Sequence, residues 1–304
     1  MLVTPSRTGL AGRAREHADW QPWVAVLDAV RVEVENPAWT GTVPDEPGSD
    51  PRRPLLAGVT FTVSPRVVRR WLGRLLQTAG AAGGTAATLA DNRRAEPEQL
   101  VAILEAGLTQ DTARVTALAK ALGFDAKALN AVAGVAPVPL ARACAERWAA
   151  RVPASWSPGW CPVCGSWATL AEARGLERAR RLRCGRCASD WRTEWLACPF
   201  CGADDHAQLG ALVLTEAPDG DAGIELARTA TSIDTCHACR GYIKTVTTLT
   251  PTAPDDLALL DLATVELDVA ALEHGYRRPV GPGSTLDARV TLPVRGRLGR
   301  WWRA

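Results

Sequence analysis

Eight of the nine cysteines fall in four Cys-x-x-Cys pairs, Cys161/Cys164, Cys184/Cys187, Cys198/Cys201 and Cys236/Cys239. Such a turn places two sulfurs on one side of a tight loop, close enough to bind one metal ion, and two such turns complete a tetrahedron. One pair alone would equally describe a redox dithiol. Four pairs within 79 residues (161–239) point instead to two tetrahedral thiolate metal centres. Cys161-Pro-Val-Cys164-Gly165 and Cys198-Pro-Phe-Cys201-Gly202 share a fuller pattern, Cys-Pro-x-Cys-Gly. Pro fixes φ early in the turn, and Gly after the second cysteine allows a positive φ. Backbone amides can then point at the sulfurs. Because each half of the cysteine-rich region opens with this pattern, a sequential assignment is favoured over a cross-braced one. Cys161, Cys164, Cys184 and Cys187 would form one site, and Cys198, Cys201, Cys236 and Cys239 the other. Sulfur-only ligation suits zinc or iron, and spacing does not separate them. Nor does it separate a redox centre from an inert one that folds its domain.

Other chemistry finds little support. There is no phosphate-binding Walker loop, no Gly-x-Gly-x-x-Gly and no His-Glu-x-x-His. The four histidines, His17, His206, His237 and His274, form no cluster in sequence. His237 lies inside the last Cys-x-x-Cys and is expected to face solvent rather than a metal. No paired carboxylates stand out as an acid/base system, so no enzymatic site is expected. Cys144, on a predicted helix, is most simply a buried small apolar residue.

The chain of 304 residues is 47% hydrophobic and 22% charged, with a formal net charge of +2. That length predicts about two domains. The charge is too close to neutral, and its arginines too dispersed, for a nucleic-acid partner. The N-terminal stretch lacks the apolar run of a secretory signal, and no run of about 18 uncharged apolar residues suggests membrane insertion. A cytoplasmic protein with reduced thiols is expected, where cysteines serve metal or redox chemistry before disulfides.

The elements that must position the cysteines divide the chain. Residues 1–152 contain only Cys144, and Pro153–Gly159 (PASWSPG) reads as a boundary. The first part reads as helical. Trp23, Val26, Leu27, Val30 and Val34 share one helical face. Ser64-Pro65 opens a second helix, Gln99–Leu108 and Asp111–Leu122 make two more, and Gly123 stops the latter. Asp125 caps a short helix, and Pro139–Arg151 forms a last one. The Ala/Gly/Thr-rich run from Leu75 to Ala90 reads as nearer a linker. Around the cysteines, ASDWRTEWLA, IELARTATSID and RGYIKTVTTL predict short antiparallel strands. Asp255–His274 returns to helix. The basic, aromatic tail RGRLGRWWRA reads as a solvated end.

The strings CPVCGSW, RLRCGRCASDW, CPFCG and IDTCHACRGYIKTV, followed by DLATVELDVAALEHGYRRP, resemble the formate dehydrogenase accessory protein FdhE family. The specific part covers residues 156–279. The resemblance implies an α+β fold: an N-terminal all-α domain (1–152), then two tandem rubredoxin-like, or zinc-ribbon-like, modules (153–197 and 198–304), the second carrying a C-terminal helix and tail. It implies the eight paired cysteines as ligands of two metal ions, with iron preferred and zinc able to substitute. It implies a non-enzymatic maturation role in the cytoplasm before export, with the formate dehydrogenase catalytic subunit as partner. A homo-oligomer is also allowed. The alternatives are a rubredoxin-like electron-transfer protein and a nucleic-acid-binding zinc ribbon.

Overall fold

The structure, a computed structural model, describes residues 17–91, 95–212 and 231–293. The N-terminal residues 1–16, the tail from 294 and the first part of the IELARTATSID run (224–230) lie outside the described residues.

The first part is helical. Helix α1 spans Gln21–Val34, α2 Pro37–Thr40, α3 Pro65–Gly80, α4 Pro97–Thr109, α5 Thr112–Leu122, α6 Ala126–Val135 and α7 Val138–Arg147. The signals that start and stop them are local. The Asp111 and Asp125 carboxylates accept from the Arg114 and Ala128 amides at the openings of α5 and α6 (both 2.9 Å). Gly123 ends α5 with φ 72°. Residues 75–90 are not a linker. Helix α3 continues to Gly80, then a short 3₁₀ segment, Gly84–Ala90, folds back on it and buries Leu89. A Cβ on Gly80 would meet the Ala90 amide nitrogen at 2.8 Å, so this close return requires glycine there.

One stretch, Ala126–Arg147, is long and apolar enough to cross a membrane by length and composition. It consists of α6 and α7, which pack against α1, α2, α4 and α5 and are mostly buried. Its apolarity is thus used in the protein core. Trp71 and Trp39 are fully buried there, with indole N–H groups donating to Ala136 O (2.8 Å) and Glu33 Oε1 (2.9 Å). Glu33, itself buried, also receives Arg70 and Arg74.

The cysteine-rich part is a mixed sheet. Strand β1 (Thr60–Thr62) belongs to the first part of the chain. Then follow β2 (Leu170–Arg174), β3 (Ala179–Arg183), β4 (Asp190–Arg192), β5 (Leu209–Leu212), β6 (Thr231–Cys236), β7 (Tyr242–Thr248) and β8 (Arg289–Thr291). Six of these form one sheet in the order β4-β3-β2-β7-β6-β5. Strands β2, β3 and β4 are joined antiparallel, and so are β5, β6 and β7, as the sequence suggests. The two groups of three strands share one sheet, because β2 pairs parallel with β7 from Leu170↔Lys244 to Arg174↔Thr248.

The predicted C-terminal helix is two helices, α8 (Leu257–Ala263) and α9 (Val265–Glu273). Beyond them the chain returns to the helical part. Strand β8 pairs parallel with β1, Arg53 bridges Asp287 at 2.9 Å, and the buried Glu105 of α4 accepts the Val290 amide at 2.7 Å.

Candidate metal centres

The four cysteine pairs adopt one loop. In each, the first cysteine's amide donates to the carbonyl five residues on: Cys161 to Ser166 (2.8 Å), Cys184 to Ser189 (3.0 Å), Cys198 to Ala203 (2.8 Å) and Cys236 to Gly241 (2.9 Å). In each, the residue after the second cysteine is left-handed: Gly165 φ 68°, Ala188 φ 62°, Gly202 φ 75° and Arg240 φ 58°. Two of the four therefore lack the glycine this conformation favours, which is why only two showed the full motif in sequence. Amides point at sulfur as the motif requires. Val163 and Cys164 N–H reach Cys161 Sγ at 3.4 and 3.5 Å, Phe200 N–H reaches Cys198 Sγ at 3.4 Å, and Gly241 N–H reaches Cys239 Sγ at 3.3 Å.

Ala188 makes only the apolar contact of its methyl with the Leu170, Leu257 and Leu260 cluster, against the bonds Arg240 makes to the His274 carbonyl (2.6 Å) and across the Tyr276 ring. Ala188→Gly is accordingly expected to stabilise the protein by about 1 kcal/mol, by removing the left-handed penalty. Arg240→Gly is expected not to, because it forfeits those contacts. Urea midpoints of the two variants against the parent check both.

The pairs converge two by two. Cys161, Cys164, Cys184 and Cys187 bring their sulfurs together in one group, and Cys198, Cys201, Cys236 and Cys239 in a second, all sulfurs within 4.8 Å of one another in each. In the first group Cys161–Cys187 and Cys164–Cys184 are 3.3 and 3.5 Å apart. In the second, Cys198–Cys239 and Cys201–Cys236 are both 3.7 Å apart. A tetrahedron with metal–sulfur bonds of about 2.3 Å has an edge of about 3.8 Å, whereas a disulfide would need about 2 Å. The second group has that edge and the first is slightly tighter. Each group could hold a metal ion. The grouping agrees with the sequential pattern rather than a cross-braced one.

Electrostatics argues the same way. Burial pushes the Cys161 and Cys187 thiols well up. Cys164 is held well below the ordinary thiol range by hydrogen bonds from its three neighbouring cysteines, with Arg186 adding to the effect. Burial also raises Cys198, and lifts Cys239 to about 11. Sulfurs this crowded do not ionise together unaided; a cation at their centre supplies the field that ionises them.

The two groups differ in setting. All four cysteines of the first are buried, and they belong to the same apolar cluster as Trp71, Leu104 and Leu140 of the helical part. Leu55 and Leu56 amides donate to Pro162 and Val163 carbonyls (2.8 and 3.0 Å), and the Ser284 amide to Gly165 (2.9 Å). Arg186 reaches from the second loop to the Gly107 and Leu108 carbonyls at the end of α4. Ser166 and Ser189 hydroxyls lie 3.4 and 3.1 Å from Cys164 and Cys187 sulfurs. These serines stand two residues after the second cysteine of each pair, a repeat the sequence displays and the motif reading passed over. In the second group Ala203 and Gly241 occupy those places. Here Cys201 and Cys239 are exposed.

Two other features of the sequence settle simply. His237 is exposed and bonds Tyr276 Oη through Nδ1 (3.0 Å), away from the sulfur groups. Cys144 is fully buried in the helical core, and burial raises its thiol. An aromatic bridge joins the two groups. Trp160 and Trp167, on the first loop, meet edge to face at 5.9 Å, and Trp167 meets Phe200 of the second at 5.5 Å. Beside it, a Cβ on Gly159 would lie 1.5 Å from the Pro199 carbonyl oxygen, so the loops touch through backbone.

Fold and site together define an α+β protein carrying two four-cysteine groups able to hold metal. No family model matches the chain. The chain is 32% identical over 127 residues to the protein FdhE homolog of Aquifex aeolicus (strain VF5), covering 40% of each. It is 32% identical over 122 residues to the protein FdhE homolog of Stutzerimonas stutzeri (strain A1501), covering 39% of this chain and 35% of that one. Each match thus spans well under half of the relative's length. The crystal structure of the FdhE protein from Pseudomonas aeruginosa superposes with a TM-score of 0.52 over 91% of this chain and 95% of that one, at 22% identity, a likeness of fold. The chain is thus similar in sequence to FdhE homologs over part of its length, and in fold to an FdhE protein.

Proposed function

We propose that this chain is a non-enzymatic accessory protein for the maturation of a respiratory formate dehydrogenase. It binds the catalytic subunit in the cytoplasm before export and uses its two four-cysteine centres for docking or redox adjustment. The observation that carries this is the pairing of two converged four-cysteine groups with likeness to FdhE proteins in both sequence and fold. The eight cysteines are the ligands, and iron is the proposed metal. A tetrahedral thiolate cage suits iron because it changes little between its oxidation states. Residues 1–152 serve as scaffold, and 153–197 and 198–304 as the two metal modules.

Affinity capture of the tagged chain from anaerobically grown cells tests the reading. Recovery of the formate dehydrogenase catalytic subunit, reduced in a Cys201→Ser variant, is expected. No recovery of that subunit from cells that express it contradicts the proposal. The exposed second group also suits a simple electron-transfer protein. That reading requires thiolate-to-iron charge-transfer bands, and a colourless zinc protein from iron-replete anaerobic cells would end it.

A further inference from the structure

We infer that the two centres have separate jobs: the first is closed and structural, and the second is an exchange site that passes a thiophilic metal ion to and from thiol ligands. This rests on the metal occupancy proposed above, and extends it to what each centre does.

Among the described residues the first site is closed to an incoming ligand. Its cysteines expose 0, 1, 0 and 2% of their surface. It is covered by the Leu55–Leu56 segment, by the Ser284 segment and by Arg186. Two serine hydroxyls lie against its sulfurs, and such outer contacts hold ligands in place.

The second site reverses each of these features. Cys201 and Cys239 are exposed while Cys198 and Cys236 are buried, so one edge of the sulfur tetrahedron faces outward and the opposite edge is anchored. The hydroxyls are replaced by Ala203 and Gly241. A groove of about 560 Å³, lined among others by Trp156, Pro158, Trp160, Pro199 and Phe200, reaches Cys198 and Cys201. A small thiol fits such a groove and meets the outward edge at its Cys201 end, while Cys239, the other exposed sulfur, lies outside the groove's lining.

The exchange is associative. An incoming thiolate forms a metal–sulfur bond as the bond to Cys201 or Cys239 breaks. The proton lost by the incoming thiol goes to the departing cysteine sulfur, and no electron moves. The buried edge, Cys198 and Cys236, retains the ion after both exposed cysteines are replaced, and the ion leaves only when incoming thiols replace these two bonds as well, each departing sulfur taking up the proton its replacement lost.

The test uses the full chain loaded with zinc at both centres, mixed with excess 4-(2-pyridylazo)resorcinol with and without glutathione. Half the zinc is expected to leave in a fast phase, on the order of tenfold or more ahead of the rest, and glutathione is expected to accelerate that phase alone. Iodoacetamide added after the fast phase, with peptide mass mapping, is expected to label Cys198, Cys201, Cys236 and Cys239 and to spare the first set. The alkylation readout needs no variant that could misfold. Release in one phase, a separation well below tenfold, or labelling of Cys161, Cys164, Cys184 and Cys187 first would overturn the inference. A chain that exchanges zinc in this way but recovers no formate dehydrogenase would sink the accessory reading and leave this one standing.

Discussion

Replacing Cys161 with Ser is expected to remove one metal equivalent and to destabilise the helical part as well as the site. A structural thiolate centre supplies about 10–16 kcal/mol of binding free energy, comparable with or above the about 5–15 kcal/mol stability of a whole domain. The first site's sulfurs belong to the helical core, and its loop carbonyls hold Leu55 and Leu56 in place. Without the ion, buried thiols and loop amides lose their partners at the junction of both parts. The helical signal in far-UV circular dichroism should then melt at clearly lower urea. Cys201→Ser should also leave one metal equivalent, but with the helical transition almost unchanged, because no cysteine of its group belongs to that core. Metal analysis with urea titration of the two variants separates these outcomes. Equal destabilisation by both would contradict the difference in setting, and retention of both equivalents in either would contradict the ligand assignment.

Glu172→Ala is expected to cost about 3–5 kcal/mol without removing any metal ligand, the usual consequence of leaving a buried charge unpaired. Glu172 sits on β2, 1% exposed, in the strand that joins the two halves of the sheet. Its Oε1 accepts from Arg183 Nη1 at 2.8 Å and from the Thr252 amide at 2.9 Å, and its Oε2 accepts from Arg174 Nε at 2.9 Å. Removing the carboxylate leaves the Arg183 side chain, 4% exposed, with the Thr252 carbonyl as its remaining hydrogen-bond partner. Arg174 keeps Asp190 at 2.7 Å. Glu172→Gln, which preserves an acceptor for Thr252, should lose less. Urea denaturation at constant metal content checks both, and a loss below about 1 kcal/mol for Ala would show that the fused sheet does not depend on this pair.

What the sequence displayed was local chemistry. The Cys-Pro-x-Cys-Gly repeats announced two loops, and their order in the chain announced which pairs meet. Asp111, Asp125 and Gly123 mark helix ends because caps act within one turn of the chain, and Pro65 marks the start of α3, where Ser64 holds the cap position without a side-chain capping bond. What it did not display depends on distant partners. Nothing in LAEAR or YIKTVTT states that β2 and β7 lie side by side and parallel, since that register links residues more than 70 positions apart. Ala188 and Arg240 hide a left-handed conformation that glycine would have advertised. The return of the chain through Asp287 and Val290 to Arg53 and Glu105 gives no sequence signal, because its anchors are single polar side chains. The unequal exposure of the two sulfur groups is likewise a matter of distant partners: the Leu55–Leu56 segment, the Ser284 segment and Arg186 cover the first group, while Cys201 and Cys239 of the second are exposed.

The most direct test of two four-cysteine centres is metal content combined with X-ray absorption on protein purified without oxygen. Two metal equivalents per chain are predicted, each ion surrounded by four sulfurs at about 2.3 Å with no nitrogen or oxygen ligand. Iron would add visible thiolate charge-transfer bands, and zinc would leave the protein colourless with the same shell. Substoichiometric metal, or a shell containing light-atom ligands, would contradict the assignment of Cys161, Cys164, Cys184 and Cys187 to one ion and of Cys198, Cys201, Cys236 and Cys239 to the other.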